Sequence, residues 1–133
     1  MNDAENIQGM YSIYSANRCI KFSIFATIMG YAKERKKLEK LSEKTIELQH
    51  FDSANLAIIT DIFEQYSHTI RILKNKDTET FNSLYLNELQ AVKTAKTALK
   101  LSEEVDRQIH FMAYKEVLLD AITKTIQATI DVA

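Results

Sequence analysis

Proline is absent from the 133 residues, and glycine occurs only as Gly9 and Gly30. Average usage predicts about six prolines and nine glycines in such a chain. Sheets and long loops draw on both residues for their turns, whereas helix interiors exclude them. The depletion therefore points to long helices joined by short connections. Cysteine is nearly missing too: Cys19 stands alone, which excludes an intramolecular disulfide and fits a reducing compartment. A buried, inert thiol is the expected state of Cys19, since its neighbours in sequence are apolar and include no histidine.

Charge of one sign is also lacking. The formal net charge is −1, with eight Lys/Arg against nine Asp/Glu in residues 1–66 and nine against nine in residues 67–133. Attraction of the whole molecule to nucleic acid or an anionic membrane is not expected. The apolar stretch 19–32 spans 14 residues and contains Lys21, too short for a membrane-spanning helix. The first residues carry acids where a secretory signal would carry bases, so a cytoplasmic location is expected. Catalytic signatures are missing as well: there is no Gly-rich phosphate loop, no Cys-x-x-Cys, no His-Glu-x-x-His and no nucleophile elbow. No enzymatic activity and no cofactor are expected.

What is present is 46% apolar and 26% charged, the composition of an ordinary globular protein. A chain of this length hides roughly two-thirds of its unfolded surface without needing a disulfide or metal. The expectation is one all-α domain over residues 1–133, an antiparallel bundle of about four helices with a long or kinked first helix. Asp52 or Ser53 is placed to cap a new helix, and Asp77 or Thr78 another, with Lys74 and Lys76 closing the helix between them. Ser102-Glu103-Glu104 is a weaker boundary. The helices expected are about 5–50, 54–74, 78–100 and 102–131. A continuous first helix would reach roughly 65–70 Å, which calls for a kink near Gly30 or an overhang covered by another chain.

Apolar residues recur at helical spacing and mark the faces that pack. Tyr31, Leu38, Leu41 and Leu48 form the core stripe of the second half of helix 1. Leu56, Ile59, Ile62, Phe63, Tyr66, Ile70 and Leu73 form that of helix 2. In helix 3 the stripe is Phe81, Leu84, Val92 and Leu99, with Ala91, Ala95 and Ala98 alongside. In helix 4 it is Val105, Ile109, Met112, Leu119, Ile122, Ile126 and Ile130. Two carboxylates fall inside these stripes, Glu88 in helix 3 and Glu116 in helix 4. A buried carboxylate needs a partner, and Arg35 at the edge of the helix 1 stripe is the candidate.

Other constellations are read as solvated faces. Glu47-Leu48-Gln49-His50 has the Glu-x-x-His spacing of di-iron bundles, yet its ligands lie off the core stripe and no second copy exists, so no metal is expected. Glu64/His68 and Asp106/His110 are i,i+4 pairs pointing away from their stripes. The run from Lys33 to Lys44 interleaves Glu34, Glu39 and Glu43 with its bases and reads as a surface salt-bridge lattice.

Surplus apolar faces carry the functional expectation. Ile20, Ile24, Ile28 and Tyr31 account for the core side of the early part of helix 1. Phe22, Phe25 and Met29 lie roughly opposite them, and a helix apolar all round is either central in a bundle or covered by another chain. On helix 3, Leu86, Leu89, Lys93, Lys96 and Lys100 form a back stripe with no acid between Gln90 and Leu101. The expected function is a non-catalytic protein–protein interaction module (adaptor, inhibitor, immunity-type or chaperone-like), working through Phe22, Phe25 and Met29 and through the back stripe of helix 3. Its partner is another protein or a second copy. One alternative is a small-molecule- or metal-binding bundle built on Arg35, Glu88 and Glu116. A second is nucleic-acid binding through the lysine stripe, which lacks the arginines and aromatics such surfaces carry.

Overall fold

The computed structural model describes the backbone of residues 18–131 and the side chains of residues 31–131. Its elements are α1 (Arg18–Glu47), α2 (Ser53–Lys76), α3 (Thr78–Ser83), a wide π turn (Leu84–Glu88), α4 (Leu89–Leu101), one 3₁₀ turn (Glu104–Asp106) and α5 (Arg107–Asp131). No strand occurs among the described residues. α3, the π turn and α4 continue one another as a single rod, so the described residues form four rods. α1 passes through Gly30 without a break in its helical run. The expected helix start near residue 5 lies outside the described residues, as do Cys19, Ile20, Ile24 and Ile28 as core candidates.

The caps follow from local chemistry. Asp52 accepts the free N–H of Asn55 at 2.7 Å and opens α2, while Lys74 and Lys76 sit at its other end, where the helix dipole favours positive charge. Asp77 alone separates α2 from α3. Its own N–H bonds the carbonyl of Leu73 at 2.9 Å, and its carboxylate accepts the Thr80 N–H at 3.2 Å and the Thr80 hydroxyl at 2.6 Å.

Cross-links between rods fix an antiparallel, cyclic order. Glu34 of α1 meets Lys76 at the far end of α2. Lys96 of α4 meets Phe63 near the middle of α2, while Lys74 meets Tyr85. Glu88 meets Lys124 late in α5. α5 then returns along α1, with Arg35 bonded to Thr129 and Gln49 to Gln108. The last rod thus closes on the first.

One core runs through all four rods. Tyr66, Tyr114, Phe81 and Phe111 are its largest sealed side chains, joined by Leu38, Leu41, Ile59, Ile62, Ile70, Leu73, Leu118 and Ile122. The stripes expected for α2 and for the second half of α1 are the buried ones, with Leu56 packed at the margin. Polar groups inside are mostly satisfied locally. Thr45, Thr69 and Thr125 donate to the carbonyls four residues earlier, and the Tyr66 hydroxyl shares a 3.0 Å hydrogen bond with Thr125. Burial pushes that phenol up to about 12.

The other two stripes are corrected in part: Phe81, Val92 and Leu99 of the third rod and Ile122 of α5 are buried as expected. In α5 the sealed positions are Phe111, Tyr114, Leu118, Ala121, Ile122, Thr125 and Thr129. Val105, Ile109 and Ile130 are exposed; Met112, Leu119 and Ile126 are half-buried. The helix has two apolar faces, and the one with the two aromatic rings removes more surface from water. Glu116 accordingly lies on the exposed side, outside the core.

In the third rod the π turn changes the phase. At about 100° per residue, Glu88 would align with Phe81 after two turns of regular helix. The Leu89 N–H instead reaches back five residues to the carbonyl of Leu84, so the turn absorbs one extra residue. Leu89 takes the core position and is buried, correcting its place on the back stripe. Glu88 swings to the rim and ion-pairs with Lys124 at 3.5 Å. Ala91 and Ala98 are exposed, and Ala95 and Leu84 pack against the core margin.

Candidate functional site

Two features stand out once the core is set aside: a walled pocket between α2, α4 and α5, and an apolar corner where α4 turns into α5.

The pocket has a volume of about 330 Å³ and is lined by Phe51, Leu56, Thr60, Lys96, Leu99, Lys100, Arg107 and Tyr114. Its walls are built by the fold's most constrained parts. Leu99 and Tyr114 belong to the core, and Phe51 packs edge-on against Phe111 with ring centroids 5.8 Å apart. Gln108 pins Phe51 from the other side. Its carbonyl accepts the Phe51 N–H at 2.7 Å and its amide donates to the carbonyl of Gln49 at 2.9 Å, a two-way clamp between the α1–α2 turn and the start of α5.

The pocket is electrostatically one-sided. Lys96, Lys100 and Arg107 contribute to its wall, and no acidic residue does. Lys96 lies over the Phe63 ring, 4.6 Å from the centroid, a cation–π contact that holds its stem against the pocket. Tyr114 contributes its ring; its hydroxyl is sealed from solvent with no hydrogen-bond partner among the described residues, and burial raises its pKa well above the ordinary phenol value. The Thr60 hydroxyl donates to the carbonyl of Leu56 at 2.7 Å.

The apolar corner consists of Leu101, Val105 and Ile109, exposed by 77%, 85% and 68%. All three fall within nine residues of chain at one end of the bundle. The expected cap here forms differently: the Ser102 hydroxyl donates back to the carbonyl of Leu99 at 2.6 Å, closing α4 rather than opening α5.

The structure disperses the residues that the sequence grouped. Lys96 and Lys100 line the pocket, whereas Lys93 borders a separate groove with His68 and Arg71, and Leu86 is exposed. Arg35 bonds neither Glu88 nor Glu116. Its guanidinium donates twice to Thr129, at 2.9 Å to the hydroxyl and 2.9 Å to the carbonyl. Glu34, expected in a solvated lattice, is 7% exposed and ion-paired with Lys76 at 3.1 Å. Glu47 and His50 are exposed, and no group of three potential metal ligands converges among the described residues. Phe22, Phe25 and Met29 have side chains outside the described residues.

Phe51, Arg107 and Tyr114 were missed as pocket residues. They lie in a turn, at a helix start and on a core stripe, and only the closure of α5 onto α2 and α4 brings them together. Among the described residues, no helix is long and apolar enough to cross a membrane. Compared with family models, curated proteins and solved structures, the chain matches none.

Proposed function

We propose that the protein is a non-catalytic protein–protein interaction module of the cytoplasm, docking another protein, or a second copy of itself, through the apolar corner between α4 and α5. The observation that carries this reading is the exposure of Leu101, Val105 and Ile109. Single exposed apolar residues are commonplace, but three large ones clustered at one corner of a small bundle are the pattern of a contact surface. Ile109 stands on the first turn of α5, close to the Gln108 clamp, so the anchor is held before binding and loses little freedom on docking. Phe22, Phe25 and Met29 are a second proposed contact surface, and Leu86 with Lys93 a third.

Sedimentation velocity over a wide concentration range, with Val105→Asp/Ile109→Asp as the comparison, tests self-association. The same pair used as baits in host extract tests a heterologous partner. Self-association, or capture of defined proteins, that the double variant loses supports the corner. A Phe25→Asp bait assigns any remaining capture to α1. A wild type that stays monomeric and captures the same proteins as the double variant overturns the reading.

A further inference from the structure

The pocket between α2, α4 and α5 is separate from the apolar corner and has a chemistry of its own. We propose that it binds a small organic anion with an apolar tail, of the class of short acyl or aryl carboxylates. The tail lies among Phe51, Leu56 and Leu99, and the carboxylate meets Lys100 and Arg107.

Charge carries the first part of the argument. Three cationic side chains line the pocket, Lys96 and Lys100 from α4 and Arg107 from α5, with no acid among the described lining residues. Lys96 is already engaged over Phe63, but the side chains of Lys100 and Arg107 make no hydrogen bond or ion pair among the described residues. Like charges gathered around a low-dielectric recess raise the local potential, and an anion lowers it. Arginine beside lysine also supplies the planar donor fork that suits a carboxylate.

Shape and apolarity carry the second part. The volume of about 330 Å³ falls at the small end of ligand pockets, whose usual range is about 300–1,000 Å³, so it takes a small molecule rather than a helix or a nucleic-acid strand. Bare phosphate would leave the Phe51, Leu56 and Leu99 surfaces uncovered, and a neutral hydrocarbon would leave the cations unanswered. The recess is pre-formed, since the Gln108 clamp and the Phe51–Phe111 contact hold its outer wall. The Tyr114 ring lines the recess, while its hydroxyl, without a hydrogen-bond partner among the described residues, is sealed away from it.

Calorimetric titration of the full chain with octanoate tests the proposal, with octanol and inorganic phosphate as separate probes. Octanoate is expected to bind with one-to-one stoichiometry, and the two controls roughly tenfold more weakly or worse. Lys100→Glu/Arg107→Glu lowers octanoate affinity by about tenfold or more, whereas Lys93→Glu, a single charge reversal outside the pocket, alters it less than about twofold. Amide shift changes centre on Leu56, Leu99 and Arg107. Absence of saturable octanoate binding overturns the proposal. Equal binding of octanol reduces the pocket to an apolar sink, and equal binding of phosphate reduces it to a charge effect; either also overturns it. Thermal melts check the fold of the double variant, and Lys100→Ala and Arg107→Gln singly read the same loss if it fails to fold.

Discussion

The two corners of the third rod reverse the chain by opposite means. Between α2 and α3 a single residue suffices: Asp77 ends one helix with its N–H, opens the next with its carboxylate and accepts the Tyr31 hydroxyl at 3.3 Å. Behind it, Tyr31 and Phe81 pack edge to face with centroids 5.5 Å apart. Between α4 and α5 the chain takes five residues, 102–106, with no side-chain cap on the 3₁₀ turn and with apolar groups facing out. The first corner satisfies its own polar and apolar groups. The second leaves apolar groups unmatched and stands next to the pocket. Local stabilisation is concentrated at one end of the rod, and the proposed contact surface lies at the other.

Substitutions can break that contrast, beginning with the largest effect. Phe81→Ala should destabilise the fold by about 3–5 kcal/mol in denaturant unfolding, because a sealed ring is replaced by a cavity beneath the tight corner. Asp77→Ala should cost about 1–2 kcal/mol, because it removes the side-chain cap of α3 and the acceptor of the Tyr31 hydroxyl while leaving the backbone bond to Leu73. That loss depends on pH. The Thr80 hydroxyl, first among several causes, holds the Asp77 carboxyl below its ordinary value of 3.8. The folded state therefore binds the proton less readily than the unfolded chain, and the stabilisation is present above the ordinary value and fades as pH falls beneath it. Unfolding curves of wild type and Asp77→Asn should converge in acid; a constant gap would show that the carboxylate's charge is not involved.

Smaller effects sharpen the comparison near the pocket. Tyr66→Phe removes a hydroxyl bonded to Thr125 and should cost about 1 kcal/mol, whereas Tyr114→Phe removes one with no partner among the described residues and should be neutral or stabilising by up to about 1 kcal/mol. Equal losses from the two would mean that Tyr114 has a partner in solution. At the open corner, Ile109→Lys should shift stability by no more than about 0.5 kcal/mol, since the side chain is exposed in the isolated chain.

Helix number, the Asp52 and Asp77 caps, the α1 and α2 stripes and Phe81, Val92 and Leu99 of the third rod were legible because each rests on local rules: carboxylates accept free N–H groups, and apolar residues recur every three or four positions. Two readings failed for reasons outside those rules. α5 has two apolar faces, and periodicity alone could not choose between them; weighting by ring area, through Phe111 and Tyr114, would have turned Val105 and Ile109 outward. Glu88 and Leu89 exchanged roles because the π turn breaks the assumed angle per residue. The pocket was half visible, as Lys96 and Lys100 on a stripe free of acids. Arg107, Phe51 and Tyr114 join them through packing between distant segments, which a single helical wheel does not represent.

The wide turn at Leu84–Glu88 also sets where this chain can change length. Deleting one residue there would restore a regular α-helix and keep Phe81 and Leu89 on the same side. The same deletion midway along α2 would twist every later side chain by about 100° and expose half of its buried face.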